Sequence, residues 1–122
     1  MIRTRIFAAA VILATSLGTA TVTATQAQAR VGADWVGPGE PNNPHAVWCV
    51  QRILNVLDHA GLAEDGSFGP ATQGAVNKFQ WAHQLSGDGI VGPKTGRMLL
   101  NSFASYQHTT VWNPYCSYWL PT

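Results

Sequence analysis

The fold is decided by the stretch Asp65-Gly66-Ser67-Phe68-Gly69-Pro70-Ala71-Thr72, which the chain repeats as Asp88-Gly89-Ile90-Val91-Gly92-Pro93-Lys94-Thr95. An Asp-Gly pair predicts a tight turn, because the Asp side chain bonds the backbone that follows and Gly accepts a positive φ. Proline suits the first position of a helix, since no amide donor is missed there. We expect the threonine hydroxyl to serve free amides of the first turn, as an N-cap does. The repeated pattern therefore predicts two turns that each open a helix.

Apolar residues recur at helical spacing around these two turns. The first helix follows Pro44, and its core stripe is Val47, Val50, Ile53, Leu54 and Leu57. We expect the second helix to run from about residue 71 to 84 and the third from 93 to about 103. Three helices joined by short loops predict a compact all-α domain with two Asp-Gly loops opening helices 2 and 3 and no sheet of consequence.

The first 29 residues have the pattern of a secretory signal. Arg3 and Arg5 precede an uncharged apolar run, and a small-residue cleavage site ends at Ala29. A retained membrane anchor is the alternative, but the run is shorter than the ~20 apolar residues that a spanning helix needs. We therefore expect export, with the protein secreted or extracellular and no membrane contact after cleavage.

The predicted mature chain divides into three parts. Residues 30–44 form a leader rich in Gly, Pro and Asn that can fold back locally. Residues 45–103 form the three-helix domain, and residues 104–122 form an aromatic tail. The rings of that tail could be a platform for a ligand, or could supply the apolar area that a short chain needs. We expect most of them to pack: Tyr106, Trp112, Tyr115, Tyr118 and Trp119.

The two cysteines, Cys49 and Cys116, both lie in the part predicted to be exported. In an oxidising compartment the simplest interpretation is one disulfide, which would tie the tail to the first helix. A metal pair or a catalytic thiol is the alternative. Both cysteines lie in the exported part and no other thiol competes, so the disulfide is favoured.

The charge balance excludes some classes of partner. Two of the seven Lys and Arg residues lie in the predicted signal, and they stand against six Asp and Glu residues. The mature chain is thus near neutral. It has no excess of Lys and Arg with which to bind nucleic acid and no polybasic patch with which to bind a membrane.

No metal, cofactor or catalytic site is expected. The histidines show no zinc-ligand spacing, and the Asp-Gly loops lack the further carboxylates of a calcium loop; the histidines are His45, His59, His83 and His108. Glu64 and Asp65 are adjacent, so we expect their carboxylates to diverge instead of forming a catalytic pair. The sequence therefore predicts a protein that is not an enzyme.

Several motifs occur in a fixed order between Val47 and Leu100. They are Val50-Gln51-x-x-Leu54, Asp65-Gly66-x-Phe68-Gly69-x-x-Thr72, Ala75-Val76-x-x-Phe79-Gln80, Leu85-x-x-Asp88-Gly89-x-Val91-Gly92-x-x-Thr95 and Leu99. This stretch resembles the small three-helix peptidoglycan-binding domain that is attached to many bacterial cell-wall hydrolases. The resemblance implies a non-catalytic module that binds peptidoglycan outside the cell. It covers neither the leader nor the tail, and neither cysteine is part of its pattern.

The expected function is therefore binding of peptidoglycan, through its glycan and its stem peptides. Backbone amides at the starts of helices 2 and 3 favour anionic or carbonyl groups. We place the groove there, with a polar lining and one aromatic wall: Gln51, Asp65, Gln80, Asp88 and Trp81. Each has an alternative role, the aspartates in the turns, the glutamines in satisfying loop backbone, and Trp81 beneath the tail.

Two other functions stay open at this point. The chain could be a protein-interaction module, either an inhibitor or a docking subunit of a separate cell-wall hydrolase. It could also be a minimal hydrolase, which we disfavour because the sequence shows no nucleophile with a base and no converging carboxylates.

Overall fold

Four helices organise residues 33–122, the part of the chain that the computed structural model describes. They are α1 (Pro44–Asp58), α2 (Pro70–Ala82), α3 (Pro93–Tyr106) and α4 (Pro114–Trp119). Each begins with a proline, at the position where the lost amide donor is missed least. The described residues contain no β-strand beyond one isolated bridge, so the all-α prediction is confirmed. The predicted signal segment, residues 1–29, lies outside the described residues.

Helix α1 lies at the centre and packs against the other three helices. Its apolar residues recur on one face, as the helical spacing predicted, and Val50, Ile53 and Leu54 are fully buried. The facing side chains from α2 and α3 are Val76, Phe79, Leu99, Leu100 and Phe103. These residues form the core that positions both Asp-Gly loops at the ends of α1 and α2.

The leader folds back onto the second loop. Val36 is fully buried, and its amide donates to the Val91 carbonyl at 3.3 Å while the Val91 amide donates to the Val36 carbonyl at 2.6 Å. The Asn42 side chain closes the turn that follows by pairing with the Gly37 backbone in both directions, at 2.8 and 2.9 Å. This part of the leader is thus folded with the helices, within the unit Ala33–Thr122.

The tail contains a helix that the sequence analysis did not predict. Asn113 caps α4 by accepting hydrogen bonds from the amides of Tyr115 and Cys116, both at 3.0 Å. The predicted disulfide between Cys49 and Cys116 is present, with the Cα atoms 5.5 Å apart. Beyond the helix, Leu120 is buried in the core. The tail is therefore held on α1 by a covalent bond and by packing.

Three of the five tail rings are exposed, so the expectation that most of them pack inside is wrong. Tyr106, Tyr115 and Tyr118 are 57%, 46% and 55% exposed. Tyr106 is the last residue of α3, which ends at the surface. For Tyr115 and Tyr118 the reason is the length of α4, because a helix of six residues can bury little more than one side chain. That buried side chain is Cys116, and the neighbouring rings face outward.

Candidate functional site

A single buried glutamine holds the first Asp-Gly loop. The Gln51 amide shares its N–H groups among Asp65 Oδ1 at 3.1 Å, the Ser67 carbonyl at 2.9 Å and Thr72 Oγ1 at 3.2 Å. Its Oε1 accepts from the Gly66 amide at 3.0 Å. Gln51 is 1% exposed, so both ends of its amide are satisfied inside the protein.

Gln80 holds the second loop in the same way. Its amide donates to Asp88 Oδ1 at 2.9 Å, the Ile90 carbonyl at 2.9 Å and Thr95 Oγ1 at 3.1 Å, and accepts from the Gly89 amide at 2.9 Å. Gln80 is also 1% exposed. We call each arrangement a glutamine clamp, made of one glutamine, an Asp-Gly turn and a threonine. The repeated phrase in the sequence thus encodes a repeated hydrogen-bond network.

The threonines do not cap the helices, so that expectation is wrong. The N-cap positions are Gly69 and Gly92, and neither helix has a side-chain cap bond. Thr72 and Thr95 are buried, at 4% and 6% exposed, and their hydroxyls accept from the glutamine amides instead. A threonine at the third helical position turns inward here, where a buried donor needs an acceptor.

The five residues predicted to line the groove do not come together in one place. The structure brings Gln51 to Asp65 and Gln80 to Asp88, in two separate clamps. Trp81 is 69% exposed and its ring lies against Gly87, so the tail does not cover it. The glutamine amides are occupied by the loops, whereas the two aspartates and Trp81 lie at the surface. Whether any of them contacts a ligand stays a prediction.

A cavity of about 520 Å³ opens where the start of α1, the first loop and α4 meet. Its lining comes from all three: Pro44, His45, Trp48, Glu64, Asp65, Gly66, Asn113 and Tyr115. We call it the tail cavity. Glu64 and Asp65 both line it, but their carboxylates have different partners: Glu64 Oε1 accepts from Asn55, and Asp65 Oδ1 accepts from Gln51.

An aromatic cluster covers one side of the tail cavity. His45 Nδ1 lies 2.6 Å from the Tyr115 hydroxyl, and the His45 ring stacks on Trp119 with centroids 4.5 Å apart. Trp48 meets Tyr115 edge-to-face at 5.9 Å. The sequence does not predict this cluster, because His45 and Trp48 are about 70 positions away from Tyr115 and Trp119. One signal was available: Asn-Pro followed by a ring occurs as Asn43-Pro44-His45 and again as Asn113-Pro114-Tyr115.

The Asp65 carboxylate is held in its ionised form. Hydrogen bonds from the Ser67 amide and then from Gln51 lower the pKa of this exposed carboxyl below its ordinary value. Glu64 accepts from the Asn55 amide at 3.1 Å, and Arg52 lies 3.6 Å away. At neutral pH the tail cavity therefore presents an acceptor, Asp65, that can take hydroxyl or N–H groups from a ligand.

A second cavity, of about 390 Å³, lies at the second loop. It is lined mainly by apolar atoms, with Trp35 on one side and Asp88 and Lys94 at its polar edge. Across residues 33–122 no group of three or more metal-ligating side chains comes together. No helix in that range is long and apolar enough to cross a membrane.

The helical core matches a known family. Residues 46–99 fit the family described as "Putative peptidoglycan binding domain". This stretch is thus similar to the peptidoglycan-binding domain. The match runs from the first turn of α1 to Leu99 and includes both glutamine clamps. It leaves out Trp35, the end of α3 and the whole of α4.

Two curated proteins are similar to parts of the chain. A zinc D-Ala-D-Ala carboxypeptidase of Streptomyces albus G is 61% identical over 36 residues, which are 30% of this chain and 14% of that enzyme. An uncharacterised protein encoded in the bpoA1 3' region of Kitasatospora aureofaciens is 47% identical over 62 residues, 50% of this chain and 51% of that protein. The chain therefore spans about half or less of these relatives. No solved structure matches it significantly.

Proposed function

We propose that this chain is a secreted, non-catalytic protein that binds peptidoglycan in the cell wall. The observation that carries the proposal is the family match over residues 46–99, which includes both clamps. The secretory pattern in residues 1–29 supports export. The stretch similar to the carboxypeptidase is a small part of that enzyme, which fits a module that accompanies catalytic domains in other proteins.

Binding without turnover also agrees with the chemistry of the tail cavity. A glycosidase needs one carboxyl group kept protonated as a general acid. Hydrogen bonds lower the pKa of Asp65, so this carboxyl is not suited to be that general acid. Exposed rings beside an ionised carboxylate can hold a neutral polar ligand.

Co-sedimentation of the mature chain, residues 30–122, with purified sacculi tests the proposal. We expect the protein to sediment with sacculi, to saturate, and to be released intact without soluble fragments of the wall. A chain that stays in the supernatant at all sacculus concentrations would refute binding. Soluble muropeptides released by the pure protein would instead show a hydrolase.

A docking role for a separate cell-wall hydrolase is the second candidate, because the similar stretch occurs in a carboxypeptidase. The same co-sedimentation, repeated with such an enzyme added, separates the two functions. Docking predicts that the chain sediments only with the enzyme present. Direct wall binding predicts no dependence on it.

A further inference from the structure

The tail cavity is built partly by residues outside the family match. That match ends at residue 99, whereas Asn113 and Tyr115 line the cavity. The Cys49–Cys116 disulfide fixes α4 against α1, so these two residues are held next to the first loop. The tail therefore adds a surface that the peptidoglycan-binding domain by itself does not supply.

The aromatic side of this cavity suits the apolar face of a sugar. Tyr115 is 46% exposed, and its hydroxyl is fixed by His45 Nδ1 at 2.6 Å. Trp48 stands edge-on to it at 5.9 Å. A pyranose ring carries C–H groups on its faces and hydroxyls around its rim. Rings held in fixed orientations offer large contact area at little cost in conformational entropy.

The polar side of the cavity selects for hydrogen-bond donors and against anions. The Asp65 carboxylate accepts from Ser67 at 2.9 Å and from Gln51 at 3.1 Å, both on Oδ1, which leaves Oδ2 for a ligand. Glu64 also lines the cavity, with its Oε1 accepting from Asn55. Ionised carboxylates are acceptors only, so they attract hydroxyl and acetamido N–H groups and repel the carboxylates of stem peptides.

We propose that the tail cavity binds a sugar residue of the glycan strand, with its face on Tyr115, its edge beside Trp48 and its hydroxyls donating to Asp65. The volume of about 520 Å³ lies within the range of small-molecule sites. The inference rests on the proposed binding of peptidoglycan, and it names the glycan, not the stem peptide, as the part recognised there.

Isothermal titration of the mature chain with two soluble probes tests this assignment. The first probe is short glycan strands built of N-acetylglucosamine alone, which carry hydroxyl and acetamido groups and no carboxylate, and the second is the stem peptides that an amidase releases from sacculi. We expect the glycan strands to bind and the stem peptides not to bind. Tyr115→Ala should raise the Kd for glycan strands at least fivefold. Tyr106→Ala is the matched control, since Tyr106 is similarly exposed at 57% and takes no part in the cavity; its Kd should stay within twofold of wild type.

Asp65→Asn provides a second variant that keeps the loop bonded. An asparagine Oδ1 can still accept from Ser67 and Gln51, but an amide donor replaces the ligand-facing acceptor. We expect at least a fivefold loss of glycan affinity, with Asp58→Asn at the far end of α1 as the control. Binding of stem peptides only, or equal Kd values for Tyr115→Ala and Tyr106→Ala, would overturn the assignment. Both results leave co-sedimentation with sacculi intact, whereas a wild-type chain that fails to sediment refutes the underlying function.

Discussion

At the scale of single residues, the clamps make a few side chains and glycines intolerant of change. Gly66 and Gly89 have φ of +73° and +74°, a region that side chains with a Cβ avoid. At Gly66 the space is closed as well, because an added Cβ would lie 2.9 Å from the Pro44 carbonyl oxygen. Gly66 therefore meets both a conformational and a steric requirement, and Gly89 meets the conformational one.

Replacing Gly66 by valine should lower the melting temperature markedly. The β-branched side chain resists the positive φ and meets the Pro44 backbone, and strain of this kind costs about 1–3 kcal/mol. Gly74→Ala is the matched control, since Gly74 lies within α2 with open space around its Cα and should gain about 0.5–1 kcal/mol in helix stability. Thermal unfolding followed by circular dichroism measures both melting temperatures. Equal melting temperatures for Gly66→Val and wild type would show that the turn does not require glycine at position 66.

The Asp65 carboxylate should make stability depend on pH in the acid range. Its pKa is lower in the folded than in the unfolded chain, so the unfolded state takes up the proton first. The stabilisation is complete above the unfolded pKa of about 3.9 and is lost as the pH falls through that value and then through the lower folded pKa. Urea unfolding between pH 6 and 3 should show wild type losing stability relative to Asp65→Asn. If the free energy of unfolding fell by the same amount in both proteins over this pH range, the prediction would be wrong.

At the scale of elements, the tail helix α4 depends on attachments, not on its own length. An isolated helix of six residues is far below the length that is stable in water. The Asn113 cap, the disulfide and the buried Leu120 hold it in place. The segment after α4 also crosses α3 closely at Gly96, where a side chain would collide with the Pro121 backbone.

The double variant Cys49→Ser/Cys116→Ser should loosen α4 while the three-helix core stays folded. The bridge closes a loop with a sequence separation of 67, for which chain entropy gives at most about 4 kcal/mol. We expect a lower melting temperature with most of the helical circular dichroism retained at 25 °C. A variant that is fully unfolded at that temperature would show that the core cannot stand without the bridge.

The sequence was most informative where the structure is set locally. The Asp-Gly turns, the prolines at helix starts and the stripe of α1 are all consequences of neighbouring residues, and they appear in the structure. The roles of Gln51 and Gln80 stayed open, because burial of an amide is decided by what packs around it. Helix α4 was not predicted, because six residues are too few to show a helical period. The exposure of Tyr115 was not predicted either, because this residue lies on that helix. The tail cavity joins residues 70 positions apart, as His45 and Tyr115 are, which no local pattern reveals.

At the scale of the whole molecule, the described unit presents aromatic surfaces in several places. Trp81 lies on α2, Trp35 lines the second cavity, and Tyr115 lines the tail cavity. A polymer with many repeated units can contact more than one of these surfaces, and weak sites joined in this way increase the overall affinity. The contribution of each surface is therefore best measured by single substitutions.

Trp81→Ala should weaken binding to sacculi without changing the fold. The side chain is 69% exposed, so little packing is lost and the melting temperature should stay nearly constant. Loss of one stacked ring corresponds to about 1–3 kcal/mol, or roughly 5- to 150-fold in Kd. Co-sedimentation with sacculi measures the change. Unaltered binding would remove Trp81 from the contact surface, and a large fall in melting temperature would assign it to packing.

The disulfide also determines how the protein carries mechanical load. A chain pulled from points before Cys49 and after Cys116 transmits the force through the sulfur bridge, so the two loops, α2 and α3 bear none of it. Breaking the bridge with a reductant should allow the segment between the cysteines to extend. Their sequence separation is 67, which corresponds to about 220–240 Å of contour length. Single-molecule stretching with and without reductant measures that difference, and equal lengths would contradict it. In the oxidised protein both clamps lie inside the shielded loop, so a pull on the two ends of the chain would leave them folded.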